Sequence, residues 1–258
     1  MIASNVKRLW AEGKPAINGW LSIPSAFCAE IMAAQGFDAI TIDLQHGLID
    51  QQAMVAMLQA MRCSDVTPLI RVPSLDPAAI MKALDAGAHG IVCPMINTRA
   101  EAETLVSCVR YPPAGMRSFG PTRALVSIGA DYARIANDEI LCFAMIETRA
   151  GYENLEAIAN TPGLDGILVG PSDLALGLGD GRLSAGLDRE EPEMIDAFRH
   201  IADACRATGL KSIFICATPA YAARAVDWGY DVVTVANDIR YLAAAAQAAL
   251  AETRRLIA

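Results

Sequence analysis

Two acidic residues near the middle of the chain each follow an apolar, strand-like run. Glu147 ends the run over 141–147, and Asp173 follows the run over 166–170. If the two runs are neighbouring parallel strands, both carboxylates lie at one edge of the sheet and repel unless a proton or a cation lies between them. Because the nearby ligands are hard oxygen atoms, the cation expected is Mg²⁺ or Mn²⁺. The alternative is that each acid caps the helix that follows its strand.

His46 is the histidine with the best setting for acid–base chemistry. It follows an apolar run that ends at Asp43. A carboxylate three residues away can fix the tautomer of an imidazole and raise its basicity, which suits a general base working near neutral pH. His89 and His200 have no such setting and are interpreted as structural. We therefore expect His46 to be catalytic, with Asp43 as its partner.

Arg71 ends another apolar run, just before Pro73. Burying a guanidinium there costs free energy unless an anion accompanies it. That anion is either a carboxylate of the protein or a substrate carboxylate or oxyanion, which a guanidinium matches with two hydrogen bonds. The segment Gly170-Pro171-Ser172 adds backbone N–H groups near a helix start, and such groups hold anions. Gly-Pro alone is also ordinary turn chemistry.

These residues can meet only if the strands before them belong to one parallel sheet. Strand-like and helix-like segments alternate along the chain, and the strand-like runs are continuously apolar, as in parallel strands covered on both faces. Eight such units predict a (β/α)8 TIM barrel, a single domain over residues 1–258, with its chemistry at the strand ends. An open doubly wound sheet is the alternative, but no G-x-G-x-x-G follows the first run. The predicted strands cover residues 16–21, 39–43, 67–72, 90–94, 141–147, 166–170, 211–216 and 231–236.

Other predicted strand ends add possible walls to the same rim. Strand one ends near Trp20, strand seven brings Phe214 and strand eight brings Asn237. One connection, over 111–138, is long enough to be functional or to carry small helices of its own. The tail over 240–258 is rich in alanine and is predicted to be a helix.

Composition narrows the class of protein. Hydrophobic residues make up 53% of the 258 residues and aromatic residues 6%, which is ample for an interior rich in small apolar side chains. The formal net charge is −8, so neither a nucleic acid nor an anionic membrane is an expected partner. The stretch over 1–8 lacks the apolar core of a signal peptide. The seven cysteines are scattered, which favours reduced thiols and a cytoplasmic protein.

Several motifs together resemble the class II, metal-dependent pyruvate aldolases of the HpcH/HpaI family. The resemblance runs over nearly the whole chain and is most specific in the combination of Asp43 and His46, Arg71, and the two acidic segments. Its motifs are Gly36-Phe37-Asp38, Asp43-Leu44-Gln45-His46, Leu84-Asp85-Ala86-Gly87-Ala88, Tyr111-Pro112-Pro113-Ala114-Gly115-Met116-Arg117, Ile146-Glu147-Thr148-Arg149 and Gly170-Pro171-Ser172-Asp173-Leu174.

The resemblance implies a division of roles. Glu147 and Asp173 are expected to bind a divalent ion, either Mg²⁺, Mn²⁺ or Co²⁺, that holds a 2-oxo acid. Arg71 is expected to stabilise an enolate oxygen, and His46, oriented by Asp43, to move a proton through a water.

Binding and assembly roles also follow from the resemblance. The N–H groups around Ser172 are expected to hold the carboxylate of the donor substrate, beside Gly170 and Pro171, with Trp20 and Phe214 as pocket walls. The family also implies a homo-hexamer with exchanged C-terminal helices, in which Asp85 reaches a neighbouring subunit's site.

Three departures leave the acceptor aldehyde open. Met145 stands where relatives that cleave a diacid often have glutamine, and Gln45 where many relatives have glutamate. The segment over 117–123 also differs from that of the best-known subgroup, and these changes resemble relatives that accept hydroxypyruvate as well as pyruvate. Arg117 and Arg123 in that segment are expected either to meet the acceptor or to form intersubunit salt bridges.

The sequence therefore predicts an aldolase, a carbon–carbon lyase, that cleaves 4-hydroxy-2-oxo acids to pyruvate or hydroxypyruvate and an aldehyde. The metal ion and Arg71 would stabilise the charge that develops as the bond breaks. Lys211 starts its strand and so faces the opposite rim, which argues against a Schiff-base aldolase. The alternatives are an acyl-CoA ester lyase, an oxaloacetate-type decarboxylase and a barrel that binds a metabolite without catalysis.

Overall fold

A computed structural model describes residues 4–258, in which eight parallel strands close into a barrel in chain order. The prediction of a (β/α)8 barrel is confirmed, and the open sheet is excluded because β8 pairs with β1. The strands are β1 Ala16–Leu21, β2 Ala39–Asp43, β3 Thr67–Arg71, β4 Gly90–Cys93, β5 Leu141–Ile146, β6 Gly166–Val169, β7 Lys211–Cys216 and β8 Val232–Val235.

Helices follow the strands and cover most of the outer face of the barrel. They are α1 Asn5–Ala11, α2 Ala26–Ala33, α3 Gln51–Ala60, α4 Pro77–Asp85, α5 Arg99–Val109, α6 Thr122–Ile128, α7 Tyr132–Glu139, α8 Arg149–Glu153, α9 Leu155–Ala159, α10 Pro171–Leu178, α11 Pro192–Thr208, α12 Pro219–Asp227 and α13 Asp238–Ile257. Residues 1–3, which belong to the stretch considered for a signal peptide, lie outside the described residues. Within residues 4–258, none of the helices is long and apolar enough to cross a membrane.

The strands are buried on both faces, which explains their unbroken apolar runs. Every residue of β2, β4, β5 and β6 is buried. Outward-facing side chains pack against the helices, while inward-facing ones such as Leu69, Phe143 and Leu168 form a smaller cluster inside the barrel. Short polar caps then turn the chain from strand to helix, as Thr98 does with Glu101 in a capping box at α5. The strand ends are therefore rigid positions for side chains.

The long connection over 111–138 carries two helices, α6 and α7. Its anchor is Arg117, which is 2% exposed and lies over the ring of Tyr111 at 4.5 Å. The same guanidinium donates to the hydroxyl of Tyr132 at 2.9 Å and pairs with Asp85 at 3.0 Å. The connection is thus fastened to the end of α4.

The last helix, α13, is attached to the barrel at its first turn. The buried carboxylate of Asp238 accepts hydrogen bonds from the backbone N–H groups of Ser22 and Ile23, at 3.0 and 2.9 Å. Beyond this clamp, residues 241–258 are all exposed. The predicted helical tail is confirmed, but it extends away from its own barrel.

Candidate active site

A cavity of about 360 Å³ opens at the carboxyl ends of the strands. It brings together most of the residues that the sequence predicts for the site, and Glu147 lies directly behind Gly170 at its edge. The wall is formed by Trp20, Ser22, Asp43, His46, Arg71, Met145, Gly170, Pro171, Ser172, Asp173, Leu187, Ile215, Ala236, Asn237, Ile239 and Arg240.

Asp43 and Arg71 form a buried ion pair in this wall. They are register partners on β2 and β3, and their side chains are 3% and 8% exposed. Arg71 donates through Nε to Oδ1 at 2.8 Å and through Nη2 to Oδ2 at 2.6 Å, and its guanidinium lies 4.8 Å from the centre of the Trp20 ring. Nη1 of Arg71 has only a weak acceptor among the described residues, Met145 Sδ at 4.0 Å, and can therefore donate to an anion in the cavity.

The environment of Asp43 keeps its carboxylate ionised. Burial alone would raise the pKa of Asp43, but the hydrogen bonds and charge of Arg71, with further hydrogen bonds from His46 and Trp20, hold it below the usual value. The predicted protein partner of Arg71 is therefore present. A substrate anion would be a second partner for the guanidinium rather than its first.

The expected contact between Asp43 and the imidazole of His46 is a wrong prediction. Asp43 Oδ1 accepts from the backbone N–H groups of Gln45 and His46 at 3.0 and 3.2 Å, while Oδ2 accepts from Trp20 Nε1 at 3.2 Å. The carboxylate is committed to Arg71, and it positions the His46 backbone rather than its ring. The exposed His46 side chain faces the cavity.

Glu147 is a buried carboxylate with little compensation from the protein. It is 2% exposed, and its Oε1 accepts from the N–H of Met95 at 2.8 Å. Burial raises the pKa of Glu147 to about 7, and the nearby charge of Asp173 raises it as well, while the Met95 N–H and the charge of Arg71 act in the opposite direction. The repulsion expected between the two acids is therefore present in the structure.

The two acids fit a hard divalent cation. Asp173 lies in the first turn of α10 and borders the cavity, and Glu147 needs a positive neighbour that Arg71, paired with Asp43, does not fully supply. Among the described residues, no group of three or more His, Cys, Asp or Glu side chains is arranged around one point. Two carboxylates suit Mg²⁺ or Mn²⁺, which commonly take their other ligands from substrate and water.

The start of α10 supplies donors beside these acids. Gly170 is its N-cap, Pro171 opens its first turn, and the N–H groups of Ser172 and Asp173 belong to the turn that has no partners within the helix. A small anion in the cavity can therefore be held by backbone N–H groups, as the sequence predicted.

Phe214 is not a pocket wall, which corrects the prediction. Its side chain is fully buried on the outer face of β7, where its ring lies 4.8 Å from Phe198 and 4.9 Å from Tyr230 between ring centres. Neighbouring residues of a strand point to opposite faces, so the next residue, Ile215, lines the cavity instead.

Arg117, Arg123 and Asp85 lie away from this cavity. Arg123 lines a different cavity of about 720 Å³, at the amino ends of the strands, together with His89 and Arg62. Its Nη2 donates to the carbonyl oxygen of Leu58 at 2.9 Å. Within one chain, these arginines are anchors of the long connection, so the expectation that they meet the acceptor is not supported there.

Three features of the site have little signal in the sequence. Met95 adopts a positive φ of 59°, which aims its N–H at Glu147, and such strain in a residue other than glycine often marks a functional site. Leu187 comes from the loop after α10, and Arg240 from the first turn of α13. No strand-like run ends at Leu187 or Arg240, so a search of strand ends in the sequence does not identify these two residues.

Comparisons with known proteins show which sequences this chain is similar to. The family model described as HpcH/HpaI aldolase/citrate lyase matches residues 17–245. A hydroxypyruvate/pyruvate aldolase of Rhizorhabdus wittichii is 41% identical over 253 residues, which cover 98% of this chain and 100% of that protein. A hydroxypyruvate/pyruvate aldolase of Deinococcus radiodurans is 38% identical over 215 residues, which cover 82% and 77%.

A solved structure shows the same fold over almost the entire chain. The crystal structure of an HpcH/HpaI aldolase/citrate lyase family protein from Burkholderia cenocepacia superposes with a TM-score of 0.88 at 31% identity. The match covers 96% of this chain and 98% of the other.

We predict that Asp43→Asn destabilises the protein, because it leaves the buried Arg71 without its counter-ion. The expected loss is about 3 kcal/mol in urea unfolding at pH 7, against no more than about 0.5 kcal/mol for Asp203→Asn, which disrupts an exposed pair with Arg206.

The same pair makes this difference depend on pH. The pKa of Asp43 is lowered on folding, so its contribution is complete above the unfolded pKa of about 3.9 and is lost as the pH falls through the folded value. The gap between wild type and Asp43→Asn should shrink below about pH 4. Equal stability of the wild type and Asp43→Asn at pH 7 would contradict the assignment of Asp43 and Arg71 as a buried ion pair.

We predict that Gly170→Ala disturbs the acidic pair by sterics alone. A Cβ at Gly170 would lie 2.6 Å from Oε2 of Glu147 and 2.7 Å from Cε of Met145, although its φ of −96° suits any residue. The expected cost is about 1–3 kcal/mol in urea unfolding, with weaker Mn²⁺ binding by calorimetry. Gly120→Ala is the control, because its Cβ would meet only Asp85 Oδ2 at 3.9 Å. Unchanged stability and Mn²⁺ affinity in Gly170→Ala would disprove the steric argument.

Proposed function

The chain belongs to the HpcH/HpaI aldolase/citrate lyase family, and we propose that it is a metal-dependent aldolase. The reaction is the reversible cleavage of 4-hydroxy-2-oxo acids to pyruvate or hydroxypyruvate and an aldehyde. The observation that carries the proposal is that Arg71 and Asp173 line one cavity, with the buried Glu147 directly behind Gly170 of the same wall. Glu147 and Asp173 offer a site for a divalent cation, and the guanidinium of Arg71 offers a positive charge for one small oxyanion.

Glu147 and Asp173 would hold the divalent ion, which is Mg²⁺, Mn²⁺ or Co²⁺. When bound, such an ion acts as a Lewis acid toward the oxygen atoms of a 2-oxo acid. The raised pKa of Glu147 fits this assignment, since a cation would replace the compensation that burial removes.

The remaining contacts of the donor substrate come from the protein itself. The N–H groups of Ser172 and Asp173 bind its carboxylate, and Nη1 of Arg71 faces the oxygen that becomes negative as the bond breaks. Because Asp43 holds the other edge of the guanidinium through two hydrogen bonds, that donor is oriented before substrate arrives. Trp20 forms the wall beside Arg71.

His46 is the group that moves the proton. In the cleavage direction, a base takes the proton from the 4-hydroxyl group of the substrate as the carbon–carbon bond breaks. His46 lines the cavity with an exposed ring, so it reaches this hydroxyl through a water. Its backbone is held by Asp43, which keeps the start of this loop in place.

The same enolate chemistry would serve an acyl-CoA ester lyase or an oxaloacetate-type decarboxylase. Exchange of the methyl protons of pyruvate with solvent tests for the enolate, while formation of a 4-hydroxy-2-oxo acid from pyruvate and an added aldehyde tests for the aldolase. A barrel that only binds a metabolite would show neither. A positive result in both assays therefore separates the aldolase from these alternatives.

We predict that Glu147→Gln and Asp173→Asn each lower metal-dependent proton exchange and aldol turnover by more than about 100-fold. Each substitution removes one of two charged ligands while keeping the shape of the side chain. Calorimetry with Mn²⁺ should show a matching loss of affinity, and circular dichroism should be unchanged.

Asp180→Asn is the matched control for these two variants, because its exposed carboxylate pairs with Arg149 outside the cavity. Wild-type exchange by either ligand variant after treatment with a chelator would rule out the metal assignment.

The partners are expected to be small molecules and further copies of this chain. Apolar side chains at helical spacing follow α13 on its exposed length, including Leu242 at 65% and Leu250 at 52% exposure. The outer face of β1 and β8 carries an apolar groove of about 280 Å³, lined by Pro15, Ile17, Pro219, Ala222, Ala223, Val226, Val233 and Val235. In a (β/α)8 barrel the helix after β8 covers this face.

We propose that α13 of one copy fills this groove on another, within a homo-hexamer. Both surfaces are apolar and exposed, and each lacks the cover that the other offers. The ion pair of Asp85 with Arg117 would then lie at a subunit boundary, where Asp85, 25% exposed at its side chain, can face a neighbouring site.

We predict that Leu250→Glu on the helix and Ala223→Glu in the groove each reduce the assembly to smaller species in light scattering. Burying an unpaired carboxylate in an apolar contact between subunits weakens the association by roughly several kcal/mol. Gln247→Glu introduces the same group on the same helix and should leave the assembly intact. An unchanged assembly in both test variants would disprove this exchange.

A further inference from the structure

Arg240 is a cation in the wall of the active-site cavity that the proposed reaction does not use. It lies in the first turn of α13, beside Asn237 and Ile239, and its side chain is exposed. The donor substrate is accounted for by Arg71, Ser172 and the two acids. The function of Arg240 must therefore lie with another part of the substrate or with the helix itself.

The backbone of Arg240 is held firmly against the barrel. Its N–H donates to Oδ1 of Asn237, the N-cap of α13, at 3.0 Å. Two residues earlier, Asp238 accepts from the backbone N–H groups of Ser22 and Ile23 just after β1. The Cα of Arg240 is thus fixed relative to Trp20 and the rim of the cavity.

Helix stability does not explain an arginine at this place. The first turn of a helix favours acids, because the unpaired N–H groups there carry partial positive charge, and a cation in that turn is unfavourable. Arg240 also has no carboxylate partner among residues 4–258, whereas Arg71 in the same wall pairs with Asp43. The charge of Arg240 is therefore available to an anion that enters the cavity.

Four other side chains of the cavity wall carry no charge that could pair with Arg240. Leu187 and Ile239 are apolar, and Ser22 and Asn237 are neutral. The acids Glu147 and Asp173 lie on the side assigned to the divalent ion, and Asp43 is committed to Arg71. An anionic group at the far end of an acceptor aldehyde would meet Arg240 as its one charged neighbour in this part of the described wall.

We propose that Arg240 is a specificity-determining residue that binds the anionic group of the acceptor aldehyde. The favoured acceptors are aldehydes that carry a carboxylate or a phosphate, since a guanidinium pairs with either through two hydrogen bonds. This inference rests on the proposed aldolase function and names the acceptor class for it.

The experiment compares two matched pairs of acceptors with pyruvate as donor. Succinic semialdehyde is paired with butanal, and glycolaldehyde phosphate with glycolaldehyde, so each pair differs by one anionic group. For the assembled enzyme carrying Arg240→Ala, kcat/KM should fall about 10-fold or more for the anionic acceptors and change little for the neutral ones. Arg240→Lys should recover part of the loss.

Two controls separate this role from a structural one. Arg254→Ala removes the same charge from the far end of the same helix and should behave as wild type with all four acceptors. Exchange of pyruvate methyl protons, which needs no aldehyde, should be unchanged in every variant. Added salt should lower the ratio of kcat/KM between the anionic and the neutral acceptor for the wild type, because salt screens the charge of Arg240. The same ratio should not change with salt for Arg240→Ala.

The outcomes are distinct. A selective loss with the carboxylated aldehyde, the phosphorylated one or both supports the assignment and shows which of these anionic groups Arg240 binds. An equal loss with neutral and anionic acceptors, or no loss with any, overturns it. If the wild type exchanges no pyruvate protons, the proposed function fails and this assignment fails with it.

Discussion

The buried pair of Asp43 and Arg71 is the interaction on which the candidate site depends. It joins neighbouring positions on β2 and β3, and the same carboxylate accepts from Trp20 on β1 and from the backbone at His46. One acid thereby fixes three strand ends and the start of a loop. A buried ion pair of this kind adds little net stability compared with a packed apolar pair, but losing one partner is costly. Its contribution is geometric, since it orients a guanidinium whose free edge faces the cavity.

Negative charge is divided between two parts of the rim. On β2 the charge of Asp43 is neutralised by Arg71, whereas Glu147 after β5 and Asp173 in α10 have no such partner among residues 4–258. Gly170 permits this arrangement, because any side chain there would meet the Glu147 carboxylate. The barrel therefore holds two acids that would suit a divalent ion beside an oriented guanidinium that would suit a small oxyanion.

The sequence was sufficient to predict the barrel and most of the residues that line the candidate site. Continuous apolar runs located all eight strands, and their last residues pointed to Asp43, Arg71 and Glu147. The sequence did not show which of two neighbouring residues of β7 points into the cavity. Phe214 and Ile215 are both apolar, but Phe214 lies on the outer face of the strand and Ile215 lines the cavity. The sequence also could not show that the carboxylate of Asp43 would pair with Arg71 rather than with the ring of His46, because both residues were predicted to lie at the same end of the barrel. Contributions from loops and helix starts, such as Met95 and Arg240, depend on tertiary placement that no local pattern encodes.

The clamp between Asp238 and the end of β1 has a mechanical consequence. A helix of 20 residues is roughly 30 Å long, and within the described part of the chain α13 is held to its own barrel only at its first turn. It is therefore a lever whose fixed end lies a few residues from Trp20, and a tilt of about 5° there moves its far end by about 2.6 Å. A small rotation at the first turn of α13 becomes a larger displacement at its carboxyl end. A force on the carboxyl end is, in the same way, transmitted to the rim of the cavity.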